Sequence, residues 1–398
     1  MRSKGALDGI KILDFTQVIF GPSCTAQLAD HGAEVIKVER PGSGDLARAF
    51  GPYVDGESMP YASLNRNKKS IAVNLKDPAG LDVIFRLIDE VDVVVSNFRQ
   101  GVMESLGLGW NEVRARNPKV IYASGSGYGS SGPIGSTRKM GHDTMAQAMT
   151  GVMDANHDAD GKPRRVPIAV ADISAGNLLM EGILLALIEL SKSGEGQKVE
   201  VSLIDALLWM EAWGVSTVAN ATADDDHLGN PLDGGIYMAS DGWLVVTGLF
   251  KPNPLQAICQ VLEIDDLSQD PKFDSVEQMT RNAEELTSIF QAEIGKHTRE
   301  FWVEKFDAVD VLSMPVMTLD EAIDAPQVSH NEMVVPVETN AGKTHWHVGV
   351  PVKLERTPGS VESTAPGVGQ NSVEVLKSAG FEQTEIERLI ESGTVTVS

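Results

Sequence analysis

"IKILDFTQVIFGPSCTAQLADHGAEVIKVER", from Ile10 to Arg40, sets the fold class. Ile10 to Val18 is an apolar run of strand length. "GPSCTAQLADHGA" then places small and apolar residues at helical spacing, and "EVIKVER" (Glu34 to Arg40) is a second strand-sized run. Strand, helix and strand, joined by glycine-containing connections, make a compact β-α-β unit. The alternation continues beyond it. "KDPAGLDVIFRLIDE" offers Asp77 as a helix N-cap and Pro78 at the first helical position, where a missing N–H costs nothing. "VDVVVSNF" and "KVIYASGSGYG" read as further strands. Strands alternating with helices in this way predict an α/β lobe with a largely parallel sheet.

A chain of 398 residues is too long for one ordinary core, and two lobes are expected. The 42% apolar and 22% charged content is that of a folded globular protein. The net charge of −23 argues against a nucleic-acid or anionic-membrane surface, because binding a polyanion means neutralising phosphates. An acidic shell of this kind also suits a salty habitat. Cys24 and Cys259 stand apart with no CxxC pattern, which reads as a pair of reduced thiols in the cytoplasm. "MRSKGALDGIKILDF" has no long apolar segment of a signal peptide. The most apolar helix, near Leu178 to Leu190, contains Glu181 and Glu189 and falls short of the ~20 residues that span a bilayer. It reads as a buried helix.

The texture changes at "ATADDDHLGNPLDGG", which is polar, acidic and marked by glycine and proline. The expected division is a large domain over 1–200, a linker helix region over 201–227, a small domain over 228–325, and a segment over 326–398 that returns to the large domain. Within the small domain, "GWLVVTGLF" reads as a strand and the stretch from Pro254 to Asp324 as mostly helical.

Several motifs can be set aside. There is no GxxxxGK[ST] loop, and "SGSGYGSSG" is not followed by a helix at the spacing of a dinucleotide fingerprint. "GSGYG" does not place Ser126 in the nucleophile-elbow spacing. His345 and His347 in "HWH" share a strand face without a third ligand, which reads as an exposed face and no metal site. Trp209, Met210 and Trp213 sit at helical spacing and read as core, with an acyl pocket as the other reading. "DADGKPRR" reads as a surface loop, although Arg164 or Arg165 could meet a second substrate carboxylate.

Two features carry chemistry. Arg40, Lys76 and Arg99 follow strands, and Lys139 lies in "STRKMGHD". In a parallel sheet the C-terminal strand ends converge on one rim, so these cations are either one anion-binding patch or separate solvated charges. Asp172, in "RRVPIAVADISAGNLLMEGILLAL", stands where an apolar run becomes a long helix. It could cap that helix. It could also be a nucleophile, with free helix N–H groups beside it to stabilise an oxyanion. The flanking apolar run would exclude water from an acyl intermediate.

"LDGIKILDFTQVIFGPSCTAQLADHGAEVIKVERPGSGDLAR", "NRNKKSIAVNLKDPAG", "VDVVVSNFRQGVMESLGLGW", "NPKVIYASGSGYGSSGP" and "ADISAGNLLMEGILLALIELSKSGEGQKVEVSLIDALL" together resemble the class III CoA-transferase family, which includes formyl-CoA and carnitine CoA-transferases. The resemblance covers nearly the whole chain. It implies a Rossmann-like large domain with a parallel sheet, a smaller α+β domain and an interlocked homodimer. It implies that Asp172 is the nucleophile and that acyl-CoA and a small carboxylic acid are the substrates, with no tightly bound cofactor. Arg40, Val73, Leu75, Lys76, Asn97, Phe98 and Arg99 fall on its CoA-contacting positions, Lys139 lies near another, and Gln17, Ile19 and Phe20 line the same cleft. Ser105 replaces a basic residue of formyl-CoA transferase, which removes one phosphate contact.

The implied mechanism passes CoA through an aspartyl anhydride and an aspartyl-CoA thioester, which splits one hard exchange into easier ones. A carboxylate is ionised near neutral pH and needs no base. "GHD" (Gly141 to Asp143) keeps an alternative open. The related α-methylacyl-CoA racemases use a His in such a stretch together with an aspartate at the position of Asp172, so His142 could be an acid–base partner. Against this, "LDGGIYMASDG" offers Gly235 where the racemases carry a glutamate, and its paired glycines resemble the transferases' mobile glycine loop, shortened. A CoA-binding module without catalysis is the remaining reading, but a mere binder has no use for a nucleophile.

Overall fold

The computed structural model describes residues 5–137, 139–158, 160–221, 230–339 and 341–398. Residues 1–4 of the N-terminal reading, and 222–229 of the acidic stretch that marks the expected lobe boundary, lie outside the described residues. The chain forms two compact units, Met1–Ala219 with His330–Ser398, and Asn220–Ser329.

The large unit is built on a sheet whose strands are β1 (Lys11–Asp14), β2 (Glu34–Glu39), β3 (Lys69–Val73), β4 (Val93–Ser96), β5 (Ile121–Ser126) and β6 (Lys198–Ser202). A late strand, Val395–Thr396, joins the β3 edge, so the order is Val395–Thr396, β3, β2, β1, β4, β5, β6. All pairings are parallel except the late one, in which Val395 lies opposite Val73. Sequence order runs outward in both directions from β1. The C-terminal end of β1 is therefore a topological switch point, where a parallel sheet opens a crevice.

Neighbouring residues of β1 face opposite sides, as strand geometry requires. Leu13 joins a core of Ile36, Ile71, Ile84, Leu87 and Leu376. Ile12 joins another of Phe20, Val35, Ile121, Leu179 and Ile183. Helices along this part of the chain include α1 (Phe20–Asp30), α2 (Pro78–Ile88), α3 (Asp143–Met149), α4 (Val170–Ser193), α5 (Leu203–Met210) and α6 (Ala212–Asn220). The cap expected of α2 is present: Asp77 Oδ1 accepts from Ala79 N at 3.0 Å, with Pro78 at the start.

Helix α4 is longer than the sequence suggested. It has 24 residues, ends on Gly194 in the left-handed region, and among the described residues is the one helix long and apolar enough, by length and composition, to cross a membrane. The difference arises because Ala171, Ala175 and Gly176 extend it upstream of Leu178. Only one stripe of it is buried: Ala175, Leu179 and Ile183 pack in the core while Leu185 and Ile188 are exposed. The crossing with α1 is very close. A Cβ on Gly176 would stand 2.0 Å from Ser23 Oγ and 2.8 Å from the Phe20 carbonyl.

Three further readings are corrected. Trp209, Met210 and Trp213 are not core: α5 turns Leu203, Ala206 and Leu207 inward and leaves Trp209 and Met210 outside, and Trp213, on α6, which buries none of its residues, is 88% exposed. His345 and His347 are not on an exposed face. Both are buried, and it is Trp346 between them that faces out. His345 sits 3.3 Å from both Asp55 and Glu57 carboxylates, so a neighbouring acidic turn covers that side of the strand. Gly234 and Gly235 lie in the strand Asp233–Ala239 and not in a loop; Gly235 pairs with Val246.

In the second unit, strands Asp233–Ala239, Gly242–Thr247 and Leu312–Pro315 form an antiparallel sheet. Helices Pro254–Leu262, Ala283–Ile294 and Arg299–Asp307 contribute Ile258, Phe290, Trp302 and Phe306 to a core shared with Tyr237 and Leu244 on that sheet.

The α1–α4 crossing gives a direct test. Gly176→Leu must separate the helices and is expected to cost about 1–3 kcal/mol or more, as overpacking does. A thermal melt of the variant that matches the native protein would contradict the close approach.

Candidate active site

The crevice at the end of β1 encloses about 320 Å³. Its walls are the loops that follow β1, β4 and β5, the turn from Lys139 to His142, and the start of α4. Gln17, Ile19, Phe20, Asn97, Phe98, Arg99, Lys139, His142 and Asp172 all line it.

The loop after β1 is held from beneath by ions with no access to water. Asp14 Oδ2 lies 3.1 Å from Lys68 Nζ and accepts from Thr25 Oγ1 at 2.8 Å. Lys37 Nζ lies 2.8 Å from Asp45 Oδ2 and donates to the Thr16 carbonyl at 2.8 Å. Glu39 accepts from Asp45 N and from Arg48. Burial would push the Asp14 carboxyl up, but the facing Lys68 and Lys37 charges overcome it and hold Asp14 below its ordinary range. Burial pulls Lys68 down to about 8.

This frame fixes the crevice wall. Asp45 Oδ1 accepts from Val18 N at 3.1 Å, and Val18 takes φ 67, a strained setting for a β-branched residue. The Asn97 amide clasps Gln17 at both ends, accepting from its N–H and donating to its carbonyl, each at 2.8 Å. Opposite, a Cβ on Gly127 would stand 2.4 Å from Gly141 Cα, so these two backbones meet without side chains between them.

Asp172 is half-buried and is not the N-cap; it is the third residue of α4, in its first turn. The cap position, Ala169, has no side chain that can serve. Capping comes from another helix. Asp143, the first residue of α3, accepts from Ala171 N at 2.7 Å and Asp172 N at 3.4 Å through Oδ1. Val170 N and Ile173 N donate to the Ile168 and Ala169 carbonyls. The first-turn N–H groups are thus occupied, and the expected free oxyanion donors at this helix end are absent. The expectation of a fully ionised carboxylate is also revised: burial, and then the Asp143 charge, push Asp172 up to about 7.

His142 caps α3, its Nδ1 accepting from Thr144 N at 3.2 Å. That bond leaves the ring proton of the neutral imidazole on Nε2.

The cations divide. Arg99 and Lys139 are exposed in the crevice, and among the described residues neither has a carboxylate partner; Lys139 Nζ stands 5.7 Å from the centre of the Tyr128 ring. Arg40 and Lys76 are exposed just beyond β2 and β3, away from the crevice lining. Val73 is buried in the core and Leu75 packs half-buried against it, so neither side chain reaches this crevice. Arg164 pairs with Asp158 at 3.2 Å on an exposed loop.

Sequence reasoning overlooked Asp143, Asp45 and the buried lysines. The signal for Lys37 was present, since a lysine inside the apolar run "EVIKVER" needs a buried partner.

Residues 7–372 match the family described as CoA-transferase family III. The chain is 33% identical to the human succinyl-CoA:glutarate CoA-transferase, covering 98% of this chain and 90% of that protein. It is 32% identical to the succinyl-CoA:mesaconate CoA-transferase of Haloarcula marismortui, covering 95% and 97%. The crystal structure of a CaiB/BaiF family protein from Brucella suis superposes with a TM-score of 0.83 at 26% identity, covering 94% of this chain and all of the other.

A carboxyl whose folded value is raised from 3.8 to about 7 is harder to ionise in the fold than in the open chain. Its penalty is absent below about pH 4, grows between pH 4 and 7, and is complete above 7, at up to about 4 kcal/mol. Asp172→Asn should therefore stabilise the protein at pH 8 and do so much less at pH 4. Denaturant titrations at both pH values check this.

Proposed function

The chain is a member of CoA-transferase family III and a CoA-transferase, and on that premise we propose that it carries CoA from an acyl-CoA thioester to a free carboxylic acid on Asp172. The observation that carries this reading is a half-buried carboxylate of raised basicity in one crevice with Arg99 and Lys139, two cations without carboxylate partners among the described residues.

Asp172 attacks the thioester carbonyl, the C–S bond breaks, and an acyl–aspartyl anhydride forms as CoA thiolate leaves. The thiolate attacks Asp172 Cγ and expels the donor acid, leaving an aspartyl-CoA thioester. The acceptor carboxylate attacks the same carbon and releases the thiolate again. Attack of that thiolate on the acceptor's acyl carbon gives the new acyl-CoA and restores Asp172. No proton, metal or nucleotide is consumed, because every step exchanges one activated acyl group for another. Loss of the Asp172 charge on acylation relieves its unfavourable burial, which favours the covalent states.

Arg99 and Lys139 supply positive charge for the CoA phosphates, and Arg40 and Lys76 extend it along the strand ends. Dicarboxylic substrates in both named relatives support succinyl-CoA as donor and a small dicarboxylic acid as acceptor. Buried free thiols at Cys24 and Cys259 support work in the reducing cytoplasm. The exposed apolar side chains of Leu185, Ile188, Trp209, Met210, Trp213 and Val218 support a homodimer, with the chains interlocked as in the family.

The racemase reading has His142 in its favour, since it lines the crevice with Asp172. The proton on Nε2 weighs against it, because that nitrogen would have to accept a proton from the substrate α-carbon.

Asp172→Ala should lower transfer by at least about 10⁴-fold, the scale of losing a covalent nucleophile. Hydroxylamine with acyl-CoA should modify Asp172 in the native protein and nothing in the variant. Retained turnover, or deuterium entering the α-carbon without an acceptor acid, would refute the transferase mechanism. The native rate should fall as pH drops through about 7, as Asp172 takes up its proton. Light scattering should give twice the monomer mass of 42.7 kDa, and Trp213→Asp should weaken that association.

A further inference from the structure

We propose that Asp143 is a positioning residue of the transfer reaction, which holds the first turn of α4 and places its carboxylate behind the nucleophile. The inference rests on the reading of Asp172 as that nucleophile.

A carboxylate capping a helix is ordinary, but this one comes from a different helix and is almost fully enclosed, at 6% exposure. Both of its oxygens are engaged. Oδ1 takes the Ala171 and Asp172 N–H groups, and Oδ2 accepts from Gln147 Nε2 at 2.6 Å. Gln147, fully buried one turn along α3, accepts from Val166 N at 2.9 Å. The Asp143–Gln147 pair therefore grips the chain on both sides of the turn into α4, at Val166 and at Ala171–Asp172. A one-residue shift of that turn would break all of these bonds and displace Asp172.

A helix start needs only a neutral acceptor, and Ser, Thr or Asn would serve it. A charged residue at Asp143 adds repulsion toward Asp172. Few charges oppose it. From α3 the neighbour is His142, whose Nδ1 is used by Thr144 N. The crevice loops bring Arg99 and Lys139. From α1 the residues against α4 are Ser23 and Gln27, both uncharged. From α5 there is Asp205, which is bonded to Ser202 Oγ at 2.6 Å. Burial and Asp143 are the causes of the raised proton affinity of Asp172, and neither crevice cation offsets them.

The repulsion acts only while Asp172 is an anion. It vanishes in the anhydride and in the aspartyl-CoA thioester, where Asp172 carries no charge. Asp143 thus raises the free carboxylate relative to both covalent states, which speeds its acylation.

Asp143→Asn keeps an oxygen for Ala171 N and removes the charge; Asp143→Ser does the same with a hydroxyl. Transfer rates and hydroxylamine capture are followed from pH 5 to 9 on native protein, both variants and Asp172→Asn, with circular dichroism and thermal melts alongside. In the folded neutral variants kcat at pH 8 should fall about tenfold. The acid limb of the profile should move about one pH unit lower. KM for acyl-CoA should stay within about twofold, since no contact with substrate is lost. A cap with no electrostatic role would leave the limb where it is, and an unmoved limb in either folded variant overturns the proposal. Loss of the fold in both variants also overturns it, since Asp143 would then be a structural cap alone. Turnover by Asp172→Asn sinks the covalent reading itself, whereas a dead Asp172→Asn beside native-like profiles for the Asp143 variants sinks only this inference.

Discussion

The large unit depends on a cluster of charges that water does not reach. Asp14 and Lys68 are fully buried, as are Lys37 and the Asp45 carboxylate beside it. Such pairs cost several kcal/mol per ion to desolvate, and their attraction returns this only if every remaining donor and acceptor is used. Around Asp14 and Lys68, Thr16, Thr25 and Asn65 supply the further bonds. An apolar replacement of equal volume could be as stable, but it would not present Asp45 Oδ1 to Val18 N. The ions give the end of β1 one conformation, and the crevice wall follows from it.

The site is built against the interests of stability. Val18 occupies a backbone region that its branched side chain disfavours. Asp172 is placed where burial and a like charge both oppose ionisation. Two helices meet at Gly176 closely enough that no side chain fits. Each is tolerated because rigid surroundings offer no alternative: Asn97 and Asp45 for the loop, Asp143 and Gln147 for the helix start, and the two cores for the sheet. A functional side chain held in a set position needs such support from the residues around it.

Much of the fold was legible because its signals are local. The run from Ile10 to Arg40 alternates as a strand, helix and strand must, and Asp77–Pro78 announces a helix start through chemistry confined to adjacent residues. What escaped was set by residues distant in sequence. Asp172 reads as a cap because the true cap, Asp143, lies on another helix. The imidazoles of "HWH" read as exposed because the turn carrying Asp55 and Glu57 covers them from far upstream. Trp209 and Trp213 read as core because periodicity reveals an apolar face without saying what covers it. Val395–Thr396 is too short to announce itself as a strand, yet it completes the sheet edge. In the crevice, Asp172 and the loops after β1 and β4 were visible through resemblance, whereas the charges beneath them required the packed structure.

The late strand has a consequence for how the protein is made. Asn220–Ser329 is continuous, so all of its chain has left the ribosome before the large unit is complete. The large unit must wait for Asn371, which accepts from Ser70 N, and for Val395, which pairs with Val73. Until then β3 has an unsatisfied flank, available to any passing extended segment. Nascent chains stalled anywhere between residues 330 and 394 would share this vulnerability, and chaperones that shield open sheet borders would be needed most during that interval of translation.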